Sequence, residues 1–298
     1  MQKAPKLQRG STVAIISTAR KISEQEIQPA VGVLESWGLR VVFGKHLFQS
    51  DHQFSGTVAQ RLHDLQWALD DPEIGAVICA RGGYGTVQLI DQIDFSAFRN
   101  NPKWVVGYSD VTVLHNHINQ NLNIGTLHAS MPINFPNNTD EALESMRAAL
   151  FGESLHYNFD GHELNRAGQA EGELVGGNLS ILYSLTGTAS QLNTKGRILF
   201  LEDLDEYLYH IDRMMMNLDR AGMLKDLAGM VVGGMTDMND NAVPYGLDAK
   251  QIIREVVNKY DYPVCFDFPA GHLDDNRALL MGAKIKLTVS GQCRLEFN

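Results

Sequence analysis

The segment "KWVVGYSDVTVLHNHI", Lys103 to Ile118, carries an apolar strand pattern into Gly107-Tyr108-Ser109-Asp110, and a helical pattern follows at once. A serine at such a strand-to-helix turn projects its hydroxyl from the top of a sheet, the form of a nucleophile elbow. The amide of the next residue, Asp110, then lies at a helix N-terminus, where it can help hold an oxyanion. The match to Gly-x-Ser-x-Gly is incomplete, because Val111 takes the last place. Serine is also among the best helix N-caps, so this motif alone leaves Ser109 open to both readings.

In "AVICARGGYGT", Arg81-Gly82-Gly83-Tyr84-Gly85 ends a second apolar strand. Glycines there let a backbone approach a ligand and present its amides, and Gly83 is the candidate second oxyanion donor. The competing readings are a plain tight turn and a phosphate loop. Neither G-x-G-x-x-G nor G-x-x-x-x-G-K-[ST] is present, which weighs against the phosphate loop.

An activated serine needs a base, and the base needs a carboxylate to orient it. Of ten histidines, His272 in "FPAGHLDDNRALLMG" sits in a Gly-flanked loop after a strand, where a ring can be both exposed and held. His115 and His117 fall on the helix after Ser109 and read as structural. His128, at a strand end in "GTLHASM", is the rival base. For the orienting acid, "RILFLEDLDEYLYHIDR" ends an apolar strand on Glu202-Asp203, and Glu202 is preferred. The bland alternative is that Glu202, Asp203, Asp205 and Glu206 make an acidic start to the next helix, favourable with its dipole.

The elements that must position these residues alternate in the first half. Strand patterns at "TVAIIS", "RVVFG", "AVICA" and "KWVVGYSD" are separated by amphipathic stretches over residues 23–37 and 58–69. That rhythm predicts a parallel, Rossmann-like sheet with its functional loops at the strands' carboxyl ends. Residues 1–155 are read as an N-terminal α/β domain carrying the nucleophile. The polar, Gly-bearing stretch over 156–171 is read as a linker. Residues 172–298 are read as a smaller, strand-rich mixed α/β domain carrying the acid and the base, with a long helix over 207–227.

Composition narrows the function classes. A chain of 298 residues, 44% hydrophobic and 20% charged, can bury a sizeable core and is not of the disordered class. A net charge of −10 without a Lys/Arg cluster excludes nucleic acid as an expected partner. The apolar run Val13 to Ile16 is too short for a signal core or a membrane span, so a cytoplasmic home without membrane contact is expected. Cys79, Cys265 and Cys293 are odd in number and sit in strand-like apolar runs, which predicts buried, reduced thiols.

Two further segments are read as structural. "MMMNL" at Met214 to Leu218 suits core filling with a domain or subunit contact. "DMNDNAVPYGLD" from Asp237 imitates a calcium loop, but Ala242 and Asp248 stand where Gly and Glu are needed.

Taken in order, "ARGGYGT", "VGYSDVTVLH", "GELVGGNLS", "FLEDLDEYLYHIDRMMMNL" and "GHLDDNRALLMGAK" resemble the successive signatures of the LD-carboxypeptidase family, which also contains the microcin C immunity peptidases. The resemblance spans nearly the whole chain. It implies Ser109 as nucleophile, Glu202 as orienting acid and His272 as base, with the amides of Gly83 and Asp110 as oxyanion hole. It further implies a two-domain serine carboxypeptidase, usually a homodimer, with its active site between the domains. The implied substrate is a murein tetrapeptide, cut at the L,D amide bond to release D-alanine in peptidoglycan recycling, and no cofactor or metal is needed. Arg81 is a candidate partner for the substrate's free carboxylate, and Asn178 in "GGNLS" is a candidate to line the cleft and equally a helix N-cap. Two other functions are weighed: hydrolysis of an aminoacyl-nucleotide amide by the same triad, and a sugar- or nucleotide-binding α/β module in which Ser109 is only a cap.

Overall fold

The computed structural model describes residues 1–297. The first half runs β1 (Thr12–Ile16), α1 (Glu24–Ser36), β2 (Arg40–Phe43), α2 (Val58–Asp70), β3 (Ile74–Cys79) and α3 (Ser96–Asn100). It continues with β4 (Trp104–Gly107), α4 (Thr112–Leu122), β5 (Thr126–His128) and α5 (Asp140–Phe151). The capping boxes Ser23/Glu26 and Thr57/Gln60 start α1 and α2, each satisfying an orphan amide at both ends of the box. The central strands β1 and β4 are buried along their whole length, as two-sided cover by helices requires.

The second half comprises β6 (His156–Asp160), β7 (Gly168–Asn178), α6 (Leu179–Ser184), β8 (Ile198–Leu204), α7 (Leu208–Arg220), β9 (Gly229–Thr236) and α8 (Ala249–Val256). The last strands are β10 (Val264–Cys265), β11 (Leu279–Met281), β12 (Lys284–Val289) and β13 (Gln292–Phe297). Helix α7 ends seven residues before the expected 227, where Gly222 takes a left-handed conformation at φ 76°.

Two sheets result. One has six strands in the order β11-β5-β4-β3-β1-β2, all parallel except β11, and the other has seven in the order β10-β9-β8-β7-β12-β13-β6. The α/β architecture with a parallel first sheet is the expected one. Two details depart from the expected division. Residues 156–171 are built into the second sheet, because β6 pairs with β13 and β7 begins at Gly168. Conversely, β11 returns from the C-terminal part to pair with β5 in the first sheet. One apolar core joins the sheets, containing Ile15 and Val106 from the first half with Phe200 and Leu287 from the second.

Candidate active site

The parallel strands β3 and β4 lie side by side in the first sheet, so the loops at their carboxyl ends meet. After β4 the chain turns through Ser109 at φ 61°, a left-handed conformation that an L-residue adopts at a cost of about 1–2 kcal/mol. Such strain at a strand-to-helix turn is the hallmark of an elbow that pushes one hydroxyl outward. The N-cap reading fails on geometry. Ser109 lies inside the short 3-10 turn Ser109–Val111, whose cap residue is Tyr108, and no side chain caps that turn or α4. Val111, in place of the motif's last glycine, packs where a Cβ on Gly107 would come within 2.8 Å of it.

The glycine loop lies directly over the elbow. A Cβ on Gly82 would stand 3.0 Å from Ser109 Cβ and 3.1 Å from Ser109 Oγ. Gly83 has φ 118°, and a side chain there would run into Arg20. The Asp110 amide belongs to a first helical turn, where amides have no intrahelical acceptor. The Asp110 carboxylate, which sequence reasoning did not single out, ties loop to elbow: its Oδ2 accepts from Thr86 N at 2.9 Å and from Thr86 Oγ1 at 2.7 Å. Burial pushes this carboxyl's pKa up. Arg61, buried on α2, donates through Nη1 to Thr18 O at 2.6 Å and Gly85 O at 3.1 Å, fixing the loop from behind.

Glu202 and Asp203 are consecutive on β8 and point to opposite faces, as the period of a strand demands. Both are buried, so neither starts the following helix. Glu202 Oε2 accepts from His272 Nδ1 at 2.7 Å and from the His272 amide at 3.3 Å. Asp203 instead accepts from Asn178 Nδ2 at 2.8 Å and Ser180 N at 2.9 Å. Burial, then repulsion from Glu202, raises Asp203 to about 7. For His272 burial is the largest influence and lowers the pKa, but the charge and hydrogen bond of Glu202, helped by Asp203, leave it above its ordinary value.

Gly271 makes the pair possible. At φ 106° it passes so close to Glu202 that a Cβ would lie 2.6 Å from Oε2. Its amide donates to Asn276 Oδ1 at 2.8 Å, which sets the loop. The Tyr108 ring meets the His272 ring edge-on at 4.8 Å and limits its rotation.

Ser109, His272, Gly83 and Arg81 line one cavity of about 330 Å³, which Arg20 also borders. Among the described residues the Ser109 hydroxyl has no hydrogen-bond partner. A second cavity of about 380 Å³ shares Tyr108, Asn134 and His272 with the first. His128, the rival base, is fully buried against Tyr108 and Phe200; burial, then His115 and His272, push its pKa well down. His115 is likewise buried, and His117 is bonded to Ser190 Oγ at 2.9 Å. Asn178 does not line either cavity. It is buried, caps α6 by accepting from Ile181 N, and holds Asp203, so the expected cleft contact is corrected to a structural one. All three cysteines are buried and none forms a disulfide. In the calcium-like segment, Asp248 is taken by the α8 capping box with Gln251.

A strained serine after a parallel strand and a histidine held by a buried carboxylate thus line one cavity. The sequence profile of the LD-carboxypeptidase N-terminal domain matches residues 13–129, and that of the C-terminal domain matches residues 171–287. The chain is 36% identical to a probable murein peptide carboxypeptidase of Bacillus subtilis over 95% of its own length and 91% of the relative's. It is 30% identical to the murein tetrapeptide carboxypeptidase of Pseudomonas aeruginosa, covering 89% of each chain. The crystal structure of muramoyltetrapeptide carboxypeptidase from Oxalobacter formigenes superposes with a TM-score of 0.88 at 26% identity, over 96% of this chain and 98% of that one. The chain belongs to the LD-carboxypeptidase family.

Proposed function

We propose that the protein is a serine carboxypeptidase that hydrolyses the L,D amide bond of murein tetrapeptides and releases the terminal D-alanine. The observation that carries this reading is the His272–Glu202 hydrogen bond of 2.7 Å, opening on the cavity that Ser109 lines. With Nδ1 engaged by Glu202, Nε2 of His272 is the nitrogen that takes the Ser109 proton as the hydroxyl attacks the scissile carbonyl. The amides of Gly83 and Asp110 receive the oxyanion, each such donor contributing on the order of a hundredfold or more in rate. His272 then protonates the leaving amine, and water repeats the cycle on the acyl-enzyme. Arg81, which lines the same cavity, takes the free carboxylate of the D-residue.

The same reading assigns the enzyme to cytoplasmic recycling of murein peptides, as a homodimer with its site between residues 1–155 and the C-terminal part. An aminoacyl-nucleotide amide is the weaker reading of the substrate, since the relatives of 30% identity or more reported above are named for murein peptides. A binding module is disfavoured by the buried acid–imidazole pair, which ligand binding alone does not require. Incubation with murein tetrapeptide, followed by mass spectrometry for free D-alanine, tests the reading. Release by the wild type and its loss in Ser109→Ala are expected; equal release by both sinks Ser109 as nucleophile. Light scattering of the purified protein tests the dimer.

A further inference from the structure

A group of metal-ligating side chains lies outside this site, at the joint between β2 and α2. His46 sits in the turn after β2, and His63 and Asp64 are consecutive on α2. Asp64 Oδ1 stands 2.9 Å from His46 Nδ1 and 3.2 Å from His63 Nδ1, and the three ligand atoms all lie within 4.8 Å of one another. The Asp64 side chain is only 2% exposed, whereas that of His63 is 56% exposed. None of the three residues lines the cavity of Ser109.

We propose that His46, His63 and Asp64 bind one divalent transition-metal ion of the zinc type, through two imidazole Nδ1 atoms and a carboxylate oxygen, with a fourth position open to solvent. Zinc bonds of about 2.0–2.2 Å in tetrahedral geometry set neighbouring ligand atoms roughly 3.3 Å apart. The observed separations of 2.9 and 3.2 Å fall within a few tenths of that. The backbone also serves the arrangement. Gly44 leaves room for the carboxylate, since a Cβ there would lie 2.5 Å from Asp64 Oδ2, and that oxygen accepts from the His46 amide at 2.7 Å. One oxygen is thus fixed by the turn while the other faces both rings.

Charge gives the reason for a cation. Among the described residues, the two histidines are the only ion-pair partners of this buried carboxylate, and neither is a permanent cation. A desolvated carboxylate without a fixed counter-charge is costly, and a divalent ion removes that cost. Each neutral imidazole need only move its proton from Nδ1 to Nε2 to present a lone pair, so binding by neutral rings releases no net proton. The two imidazoles, borderline nitrogen donors, favour zinc, nickel or copper over calcium or magnesium. An ion here would pin the His46 turn to α2, the helix whose Arg61 supports the glycine loop.

Chelator-treated full-length protein titrated with zinc sulfate by calorimetry tests the site, alongside thermal melts and cobalt(II) absorption. One equivalent per chain, a raised melting temperature with zinc, and a tetrahedral cobalt band are expected. His63→Gln, an exposed substitution that should fold, is expected to weaken binding at least tenfold and abolish the melting shift. His52→Gln, at an exposed histidine elsewhere, is expected to change neither. Non-saturable binding, or stoichiometric binding left intact by His63→Gln, overturns the proposal.

Discussion

His272 Nδ1 and Glu202 Oε2 are 2.7 Å apart, and the carboxylate is fully buried while the imidazole side chain keeps 15% exposure. One end of the ring is thereby fixed in a dry, charged environment and the other is left to the cavity. This holds the ring in one tautomer and supports a positive charge on it.

A raised imidazole pKa sets the direction of the pH dependence. As the proposed base, His272 acts when neutral, so kcat/KM should climb as pH rises through the His272 pKa, with its inflection above 6.5. Glu202→Gln removes the charge that raises it. A pH–rate series should show the inflection moving down and kcat falling on the order of 10³–10⁴-fold.

Ser109 separates activity from stability. Ser109→Ala should lose roughly 10⁴-fold or more in kcat with the fold intact. Ser109→Gly should be equally inactive yet more stable than Ser109→Ala by about 1 kcal/mol, because glycine is unstrained at φ 61°. Denaturant unfolding of the two variants measures the difference.

Thr86 and Asp110 position the two proposed oxyanion donors relative to each other. Thr86→Val removes the 2.7 Å hydroxyl bond to Asp110 Oδ2 while keeping the side chain's shape. It should lower kcat about tenfold or more with KM little changed, since a misplaced oxyanion hole acts on the transition state. Steady-state kinetics on the tetrapeptide distinguish this from a general loss of folded enzyme, which circular dichroism would register.

Gly271→Ala should damage both the fold and the site. The new Cβ would collide with the Glu202 carboxylate at 2.6 Å and force φ 106° on an L-residue. A stability loss of about 1–3 kcal/mol or more is expected. Thermal melts and D-alanine release should fall together.

Much of this site was legible because its side chains sit where local signals are strong. Ser109 follows an apolar strand and a glycine, Glu202 ends another strand, and His272 lies beside a glycine. Glu202 is preferred over its neighbour from the sequence, but the role of Asp203, holding Asn178 and Ser180, appears only once β7 lies beside β8. Other features were hidden because they are relations between distant segments. Asp110 and Thr86 read as unremarkable polar residues until the sheet sets β3 beside β4. Gly271 reads as a loop glycine until Glu202 is placed against it. Strand β11 has three residues, too few for a periodic signal, and its pairing with β5 spans about half the chain. The 156–171 stretch looks like a linker because β6 is a largely exposed edge strand.

Strand β11 also bears on how the protein is made. The N-terminal sheet is complete only when Leu279–Met281 joins β5, and these residues are synthesised after strands β6 to β10 of the other sheet. His272 lies on the stretch of chain between β10 in one sheet and β11 in the other. A nascent chain can therefore shape the turn at Ser109 well before it can seat His272 against Glu202, so the two halves of the proposed site come together only after both sheets have been threaded.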